Sequence, residues 1–368
     1  MPRDSRTLST AGVALGILLG ATALTACADT QQASAEPRAE AEGAGAADRP
    51  DADSVEIARL LTQLGDPDLA KAEAARDRLH AIGPVAMPAL TAGLGHDDPQ
   101  VVWLAAEAMK GFGDAVSPAV PALLSALTHL RGRQEAERVR EALGEVGPGA
   151  APHVPALLAY AEQLVNDSTQ KKPWFVHSGD IHAVVAALGG IGPGARDAVP
   201  FLLGAWEVHR RTPGGDRFTL RALGATQDPR ALAALDSALR ATSPSATVSR
   251  HDTQNTVAEA LALAGEPGAV LLDQAYTADN IPVRLAVVYG YAALGEAGVA
   301  RLGRVLEDVR PCQVAGVPEM HRALALQALR ERESLPSSLV PALRGIVRDS
   351  KHHEAPRIAR ELIARIGA

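Results

Sequence analysis

A short pattern recurs along residues 54–368 and constrains the fold more than any other feature of the chain. In each copy an apolar residue, two further residues and a second apolar residue are followed by glycine. Residues three apart lie on one face of a helix, and glycine readily adopts the left-handed conformation that ends one. Each copy therefore predicts the last turn and the stop of a buried helix. The glycines concerned are Gly83, Gly113, Gly147, Gly192, Gly224, Gly265, Gly295 and Gly367.

A second pattern predicts where the following helix begins. A few residues after several of these glycines comes a second motif. It consists of an aliphatic residue or methionine, then proline, one further residue and leucine. Proline is tolerated in the first turn of a helix, because its missing N–H would have no helical partner there. Copies of this pattern begin at Met87, Val120, Val154, Val199 and Val340.

Together the two patterns predict an all-α fold, an α-solenoid of about eight helix–turn–helix repeats over residues 54–368. A single repeat cannot bury its own apolar face, whereas stacking of neighbours removes that face from water. The composition agrees, since the chain is 47% hydrophobic but only 3% aromatic, and alanine and leucine favour helices. The net charge of −7 gives no electrostatic reason to bind nucleic acid.

Residues 1–26 have the pattern of a secretory signal peptide. Arg3 and Arg6 precede an apolar stretch that runs from Leu8 to Ala26, and Cys27 follows directly. The end of this stretch resembles the bacterial lipobox, in which small residues precede a cysteine. The resemblance implies that the sulfur of Cys27 carries a diacylglycerol. An uncleaved signal anchor and an incidental cysteine are the alternatives.

Residues 27–53 are rich in alanine, acidic residues, glutamine and glycine and lack an apolar period, so we expect a disordered tether. The chain would then be held by its lipid on the extracytoplasmic side of the cell envelope. Ala28 stands where an aspartate would resemble an inner-membrane retention signal, which favours the periplasmic side of an outer membrane in a diderm host. Lipidation leaves Cys312 without an intrachain partner, and we expect it to be buried.

Two segments carry a family resemblance, residues 96–113 (HDDPQVVWLAAEAMKGFG) and residues 278–295 (ADNIPVRLAVVYGYAALG). Both resemble the second helix of HEAT-like repeats of the phycobiliprotein-lyase type. Arg284 matches the arginine of that family's pattern, whereas Val102 replaces it and most other copies also lack it. The resemblance implies a HEAT-like fold whose Asp–Arg ladder between repeats is largely missing. Packing of alanine and leucine would then be the main contact between repeats.

Three positions suggest an interaction surface. The insertion at residues 166–182 contains Trp174, Phe175 and His177, and insertions in solenoids often lie on the binding face. The alternative is that its aromatic side chains fold back over a repeat edge. Trp103 lies in the second helix of its repeat, where it serves either as a binding anchor or as part of the core.

The third position is a basic segment. Arg210 and Arg211, together with Arg217 and Arg221, can receive an acidic partner, although a solvated helix end explains them equally well.

We found no phosphate-binding loop, zinc-protease motif, Cys-x-x-Cys or nucleophile elbow, and therefore expect neither an enzyme nor a cofactor. His177, Asp180 and His182 could hold a metal, but their spacing fits no known ligand pattern. The pair His352–His353 is either solvated or a weak metal contact.

These observations favour a binding scaffold, tethered through Cys27, that presents a helical surface to another envelope protein or peptide. One alternative is a lyase-like protein that handles a chromophore or another cofactor. The other is a structural spacer of the envelope without a specific ligand.

Overall fold

The computed structural model describes residues 52–166, 179–209, 217–241, 248–312, 314 and 318–367. These residues form eighteen α-helices, and short 3-10 turns join some of them. The helices, in chain order, are α1 (Ala52–Gln63), α2 (Leu69–Ile82), α3 (Met87–Gly93), α4 (Pro99–Met109), α5 (Val120–His129), α6 (Ala136–Gly144), α7 (Val154–Asn166), α8 (Gly179–Ile191), α9 (Val199–His209), α10 (Arg217–Ala225), α11 (Pro229–Arg240), α12 (Val248–Leu263), α13 (Glu266–Tyr276), α14 (Ile281–Ala293), α15 (Val299–Glu307), α16 (Met320–Arg330), α17 (Val340–Asp349) and α18 (Ala355–Ile366).

The helices are arranged in two layers, which we call the odd layer and the even layer after their numbers. Each even helix packs against the next even helix, and these contacts are more extensive than those between neighbouring odd helices. The predicted all-α solenoid is thus confirmed. The described residues contain nine helix pairs instead of about eight. The additional pair contains α16, which ends at Arg330 and Glu331 without the glycine stop by which we had recognised repeats.

The proline pattern predicted the helix starts correctly. Helices α3, α5, α7, α9 and α17 each begin at the residue before the proline, which occupies the second position of the helix. Each of these five helices is preceded directly by a 3-10 turn. Two of the turns begin at the glycines Gly83 and Gly192, each followed directly by proline.

Most of the glycine stops were also predicted correctly. A positive φ, between 53° and 83°, occurs at Gly83, Gly113, Gly192, Gly265, Gly295 and Gly367. Gly147 differs, since its φ of −96° is available to any residue.

Gly224 was predicted wrongly, because it lies inside α10 instead of ending it. A Cβ atom at this position would be 1.9 Å from the carbonyl oxygen of Ala260 on α12. Gly224 therefore allows two even helices to approach closely. Gly144 and Gly189 face Ala186 and Ala222 of the next even helix in the same way. Small residues explain why the even layer is the more closely packed one.

The apolar core runs along the described part of the array and consists mainly of leucine, alanine and valine. Besides this packing, which the sequence predicted as the main contact between repeats, side chains also join successive repeats by ion pairs. Arg138 of α6 lies 3.0 Å from Glu107 of α4. Lys110, just after α4, lies 2.8 Å from Glu141 of α6. These four side chains, which we call the α4–α6 quartet, replace the missing Asp–Arg ladder with other residues.

Other polar side chains bind the helix ends of the preceding repeat. The amide of Gln100 donates to the carbonyl oxygens of Leu64 and Asp66 at 3.0 Å and 2.9 Å. Arg310 donates to the carbonyl of Tyr276 at 3.1 Å. Carbonyl groups at the end of a helix have no partner within it, so these bonds satisfy them and fix the spacing of repeats at the same time.

Residues 241–256 are rich in serine, threonine and other polar residues, yet α12 begins at Val248 and the residues after it are helical. Gln254 is buried, and its amide donates to the carbonyl of Leu239 at 3.4 Å. Tertiary packing therefore overrides the polar composition of this segment. In the described part of the chain, no helix combines the length and the apolar character that crossing a bilayer requires.

Candidate functional site

The even helices use most of their surface for packing and leave one narrow stripe partly exposed. On α4 this stripe consists of Trp103 and Glu107, with Lys110 one turn further on. Trp103 is half-buried and packs against the core. Its role as a binding anchor stays a prediction. Beside Trp103, the charges of the α4–α6 quartet are all used in ion pairs.

The stripe of α10 differs in composition. Phe218 is 55% exposed although it is a large apolar side chain, and Arg217 and Arg221 lie beside it on the same helix. The ring of His182, on α8, is 6.0 Å from the ring of Phe218. We call Arg217, Phe218 and Arg221 the α10 patch.

The charges of the α10 patch form no ion pair with the described residues. Neither Arg217 nor Arg221 lies within ion-pair distance of a described carboxylate. Both arginines act electrostatically on Glu259 of α12, whose carboxyl makes no hydrogen bond to a described group. Burial raises the pKa of Glu259 above its ordinary value, and the two arginines only partly oppose that shift. The patch thus exposes an aromatic ring beside two guanidinium groups that the described carboxylates leave available.

A second group of charges lies where α8 begins. Asp180 is buried, with an exposed fraction of 4%. Arg140 of α6 donates through Nε to Asp180 Oδ1 at 2.6 Å, and Tyr160 of α7 donates through its hydroxyl to Oδ2 at 2.8 Å. We call these three side chains the Asp180 cluster. Burial, followed by the charge of Asp180, raises the pKa of the Tyr160 hydroxyl, so the tyrosine remains a neutral donor.

Two surface cavities adjoin the partners of Asp180. One of about 470 Å³ is lined by Arg140, Glu137 and the turn at residues 132–134. The other, of about 270 Å³, lies between α5 and α7 and includes Tyr160. Both oxygens of Asp180 accept hydrogen bonds from side chains of the chain, and Asp180 itself lines neither cavity. The Asp180 cluster instead fixes the start of α8 to α6 and α7.

A third group lies in the connection between α15 and α16. The carboxylate of Asp308 accepts hydrogen bonds from the Tyr276 hydroxyl at 2.8 Å and from Arg310 Nη2 at 2.8 Å. The fully buried Arg284 places Nη1 3.7 Å from the same carboxylate, and His321 Nε2 lies 3.1 Å from the backbone carbonyl of Asp308. Burial raises the pKa of Asp308, but the hydrogen bonds from Arg310 and Tyr276 outweigh burial and leave it well below its usual range. We call these five side chains the Asp308 cluster.

Arg284 is the arginine that matched the family pattern. It joins α14 to the connection between α15 and α16, as that pattern implies. It also donates through Nη2 to the carbonyl of Pro311 at 2.5 Å. Cys312 is 3% exposed, which confirms the prediction that it is buried. Burial raises the pKa of the Cys312 thiol, so the sulfur is kept in its less nucleophilic form.

Of the three residues considered as metal ligands, the structure describes Asp180 and His182. Asp180 is bound to Arg140 and Tyr160, and His182 lies beside Phe218, while His177 lies outside the described residues. Within the described ranges, no three histidine, cysteine, aspartate or glutamate side chains are close enough to share a metal ion.

The other predicted site residues lie mainly outside the described ranges. This applies to Cys27, Trp174, Phe175, Arg210 and Arg211. At the opposite end of the chain, the stacked rings of His352 and His353 are 5.1 Å apart.

Phe218 was not predicted as a site residue from the sequence. The signal that could have identified it is an aromatic residue that stands between two arginines in a chain with very few aromatic residues.

Comparisons with known proteins place this chain in no family. No family profile matches the sequence, and no curated protein resembles it significantly. Among solved structures, the complex of CpcE and CpcF of phycocyanin lyase from Nostoc sp. PCC7120 is similar at 18% identity and a TM-score of 0.35. The match covers 90% of this chain and 100% of that chain. At this TM-score the likeness carries no argument about the reaction, and the assignment of the fold depends on the helix packing described above.

The comparison nevertheless corrects one prediction. We expected that the chain is not an enzyme, because its sequence contains no catalytic motif. The matched structure belongs to a lyase, which is an enzyme, so this expectation is contradicted. The lack of a familiar motif on a helical-repeat chain is therefore no ground for excluding catalysis.

Proposed function

We propose that this chain binds another protein or a peptide of the cell envelope through the α10 patch, while a lipid on Cys27 holds it at the extracytoplasmic face of a membrane. The observation that carries the proposal is the exposure of Phe218 between two arginines that have no ion pair with described residues. Aromatic residues and arginine are enriched where partners contribute most to binding energy.

The even layer supports this role because it offers a continuous surface. Its helices are packed side by side, so the exposed stripes of α8, α10 and α12 adjoin one another. A partner that lies across them covers Phe218 and Arg221 without any rearrangement of the core. In the α4–α6 quartet, by contrast, the charges already have partners.

The binding proposal can be tested by photo-crosslinking in cells. A photoreactive phenylalanine analogue at position 218 should give a discrete adduct with one protein. Val270 on α13, in the odd layer, is a matched control because it is also a large exposed apolar residue, with 43% exposure. Equal labelling from both positions, or none from position 218, would contradict the proposal and favour a structural spacer.

The lipid anchor rests on the small residues that precede Cys27 and on the tether-like composition after it. Cells fed with radioactive palmitate should label the wild-type chain, and Cys27→Ser should abolish both the label and sedimentation with membranes. Cys312→Ser is the control, and it should leave both unchanged. Retention of the label in Cys27→Ser would show that the anchor has been misplaced.

A second candidate function is that of a lyase-like protein which handles a chromophore. The similar solved structure is named as a phycocyanin lyase, which is the observation that brings this candidate forward. A purified chain with visible absorbance, or one that gains such absorbance when a bilin is added, would favour it over the scaffold.

A further inference from the structure

We infer that the α10 patch recognises an acidic segment, in which one or more carboxylates lie next to an aromatic or aliphatic residue. This inference rests on the proposed binding function and names the chemistry of the partner. It depends on three features of the described residues, namely the arginines that no described carboxylate pairs, the exposed ring and the position of Glu259.

The arginines favour carboxylates. Arg217 and Arg221 are one helical turn apart, so both side chains extend from the same face of α10. A guanidinium group can donate two parallel hydrogen bonds to a carboxylate, which gives this pair both strength and orientation. On α6, by contrast, Arg138 already pairs with two glutamates of the chain, Glu107 at 3.0 Å and Glu141 at 2.9 Å.

Phe218 supplies the apolar contact. Its ring lies between the two arginines in sequence and near the His182 ring in space, 6.0 Å away. A partner side chain that covers Phe218 brings its own neighbouring residues within reach of Arg217 and Arg221. Removal of water from this contact strengthens the ion pairs at its edge.

Glu259 bears on the net charge of the α10 patch, which stays positive. Both arginines act electrostatically on its carboxyl, and burial favours the neutral form of that carboxyl. Among the described residues, the patch therefore combines two positive charges with a neighbouring carboxyl whose ionised form is disfavoured. A basic partner that approached Glu259 would lie beside both arginines and would be repelled, whereas an acidic partner is attracted.

Peptide selection on the full chain, purified in detergent, tests this inference while the natural partner is still unidentified. A random phage-displayed library should yield peptides enriched in aspartate or glutamate next to an aromatic or aliphatic residue. The affinity of a selected peptide is then measured by fluorescence anisotropy. Arg221→Glu should weaken it about tenfold, as expected for loss of a charge-assisted hydrogen bond.

Two further variants make the result specific. Glu259→Gln should strengthen binding, about twofold to fivefold, because it removes the one negative charge that opposes the partner. Arg344→Glu is the matched control, since Arg344 is an exposed arginine on α17 in the odd layer, and it should leave affinity unchanged. A change in the same direction for Arg221→Glu and Glu259→Gln would overturn the electrostatic argument.

The outcomes separate this inference from the proposed function. Selected peptides without acidic residues that still lose binding in Phe218→Ala would overturn the acidic partner but keep the binding function. Peptides whose binding is unaffected by both Phe218→Ala and Arg221→Glu would overturn both.

Discussion

The exposed stripes of α4, α6 and α8 and those of α10 and α12 belong to the same layer of helices. Their charged side chains differ, because those of the first group are bound within the chain and those on α10 are not. Between α4 and α6, four charged side chains form ion pairs of 2.8 Å to 3.0 Å across the repeat boundary. At the start of α8, a buried carboxylate is bound by an arginine and a tyrosine. On α10, two arginines and an exposed phenylalanine have no such partners among the described residues.

This difference teaches how to separate structural charges from binding residues in a repeat protein. A charge that lies between two helices and is bound by side chains of both contributes to the repeat interface. A charge that lies next to exposed apolar surface and has no partner contributes little to the fold, so its presence is more readily explained by a ligand. The following predictions test this distinction.

The largest effect is expected in the Asp180 cluster. Asp180→Ala leaves the Arg140 guanidinium and the Tyr160 hydroxyl without their shared acceptor in a half-buried to buried environment. Loss of one partner of a buried ion pair costs about 3–5 kcal/mol. The free energy of unfolding, from urea denaturation followed by circular dichroism, should fall by an amount of this order.

Glu137→Ala is the control for that change, because Glu137 binds the same arginine but its side chain is 62% exposed. The cost should be less than about 1 kcal/mol, as for exposed ion pairs. Equal effects of the two substitutions would show that burial does not govern this cluster.

The next effect concerns the close approach of α10 to α12. Gly224→Ala places a methyl group where the carbonyl oxygen of Ala260 lies, so the two helices must separate. We expect a loss of about 1–3 kcal/mol, as for other overpacked interiors. Gly204→Ala is the opposite case, since nothing lies within 4 Å of a Cβ there. Because alanine favours helix, that variant should gain about 0.5–1 kcal/mol, and thermal denaturation would compare the two.

These two glycines also show how far the sequence predicts the fold. The helix starts and most helix stops could be predicted because proline and left-handed glycine act within one turn of the chain. Gly224 could not, because its role depends on which residue of α12 crosses it. Nothing near Gly224 in the sequence reveals the position of Ala260.

The site was less predictable than the fold for the same reason. The link between Arg140 and Asp180 joins residues 40 positions apart, and its existence depends on the register of two helices. For Asp180, the sequence left open a metal site that its spacing did not support, whereas the structure shows an ion pair with Arg140. The basic character of Arg217 and Arg221 was visible in the sequence, but the exposure of Phe218 depends on which face of α10 is packed.

A smaller effect concerns pH in the Asp308 cluster. Burial lowers the pKa of His321, so its neutral form is favoured in the folded state. The contribution of neutral His321 to the free energy of unfolding is therefore fully present above the ordinary histidine pKa of about 6.5. It is lost as the pH falls toward the lowered pKa. His321→Gln should reduce the loss of stability between about pH 7.5 and pH 5, as measured by urea midpoints at each pH.

Glu259 should have the opposite effect, because its pKa is raised. The ionised form of Glu259 is disfavoured in the folded state. Its carboxylate therefore lowers the free energy of unfolding at neutral pH, and this loss of stability is relieved as the pH falls and the carboxylate is protonated. Glu259→Gln should raise the urea midpoint at about pH 7.5 and make the loss on acidification steeper. If both variants changed the pH dependence in the same direction, the opposite pKa shifts described here would be wrong.

The smallest effect on stability is expected in the α10 patch, and it sharpens the comparison most. Arg138→Ala removes two ion pairs of the α4–α6 quartet and should cost up to about 1 kcal/mol. Arg221→Ala removes no ion pair within the described residues, so its free energy of unfolding should stay within about 0.5 kcal/mol of the wild type. If Arg221→Ala weakens a selected peptide without changing the urea midpoint, while Arg138→Ala does the reverse, the two stripes serve binding and folding respectively. A marked loss of stability in Arg221→Ala would mean that this arginine belongs to the repeat interface, and the reason for placing the partner on α10 would disappear.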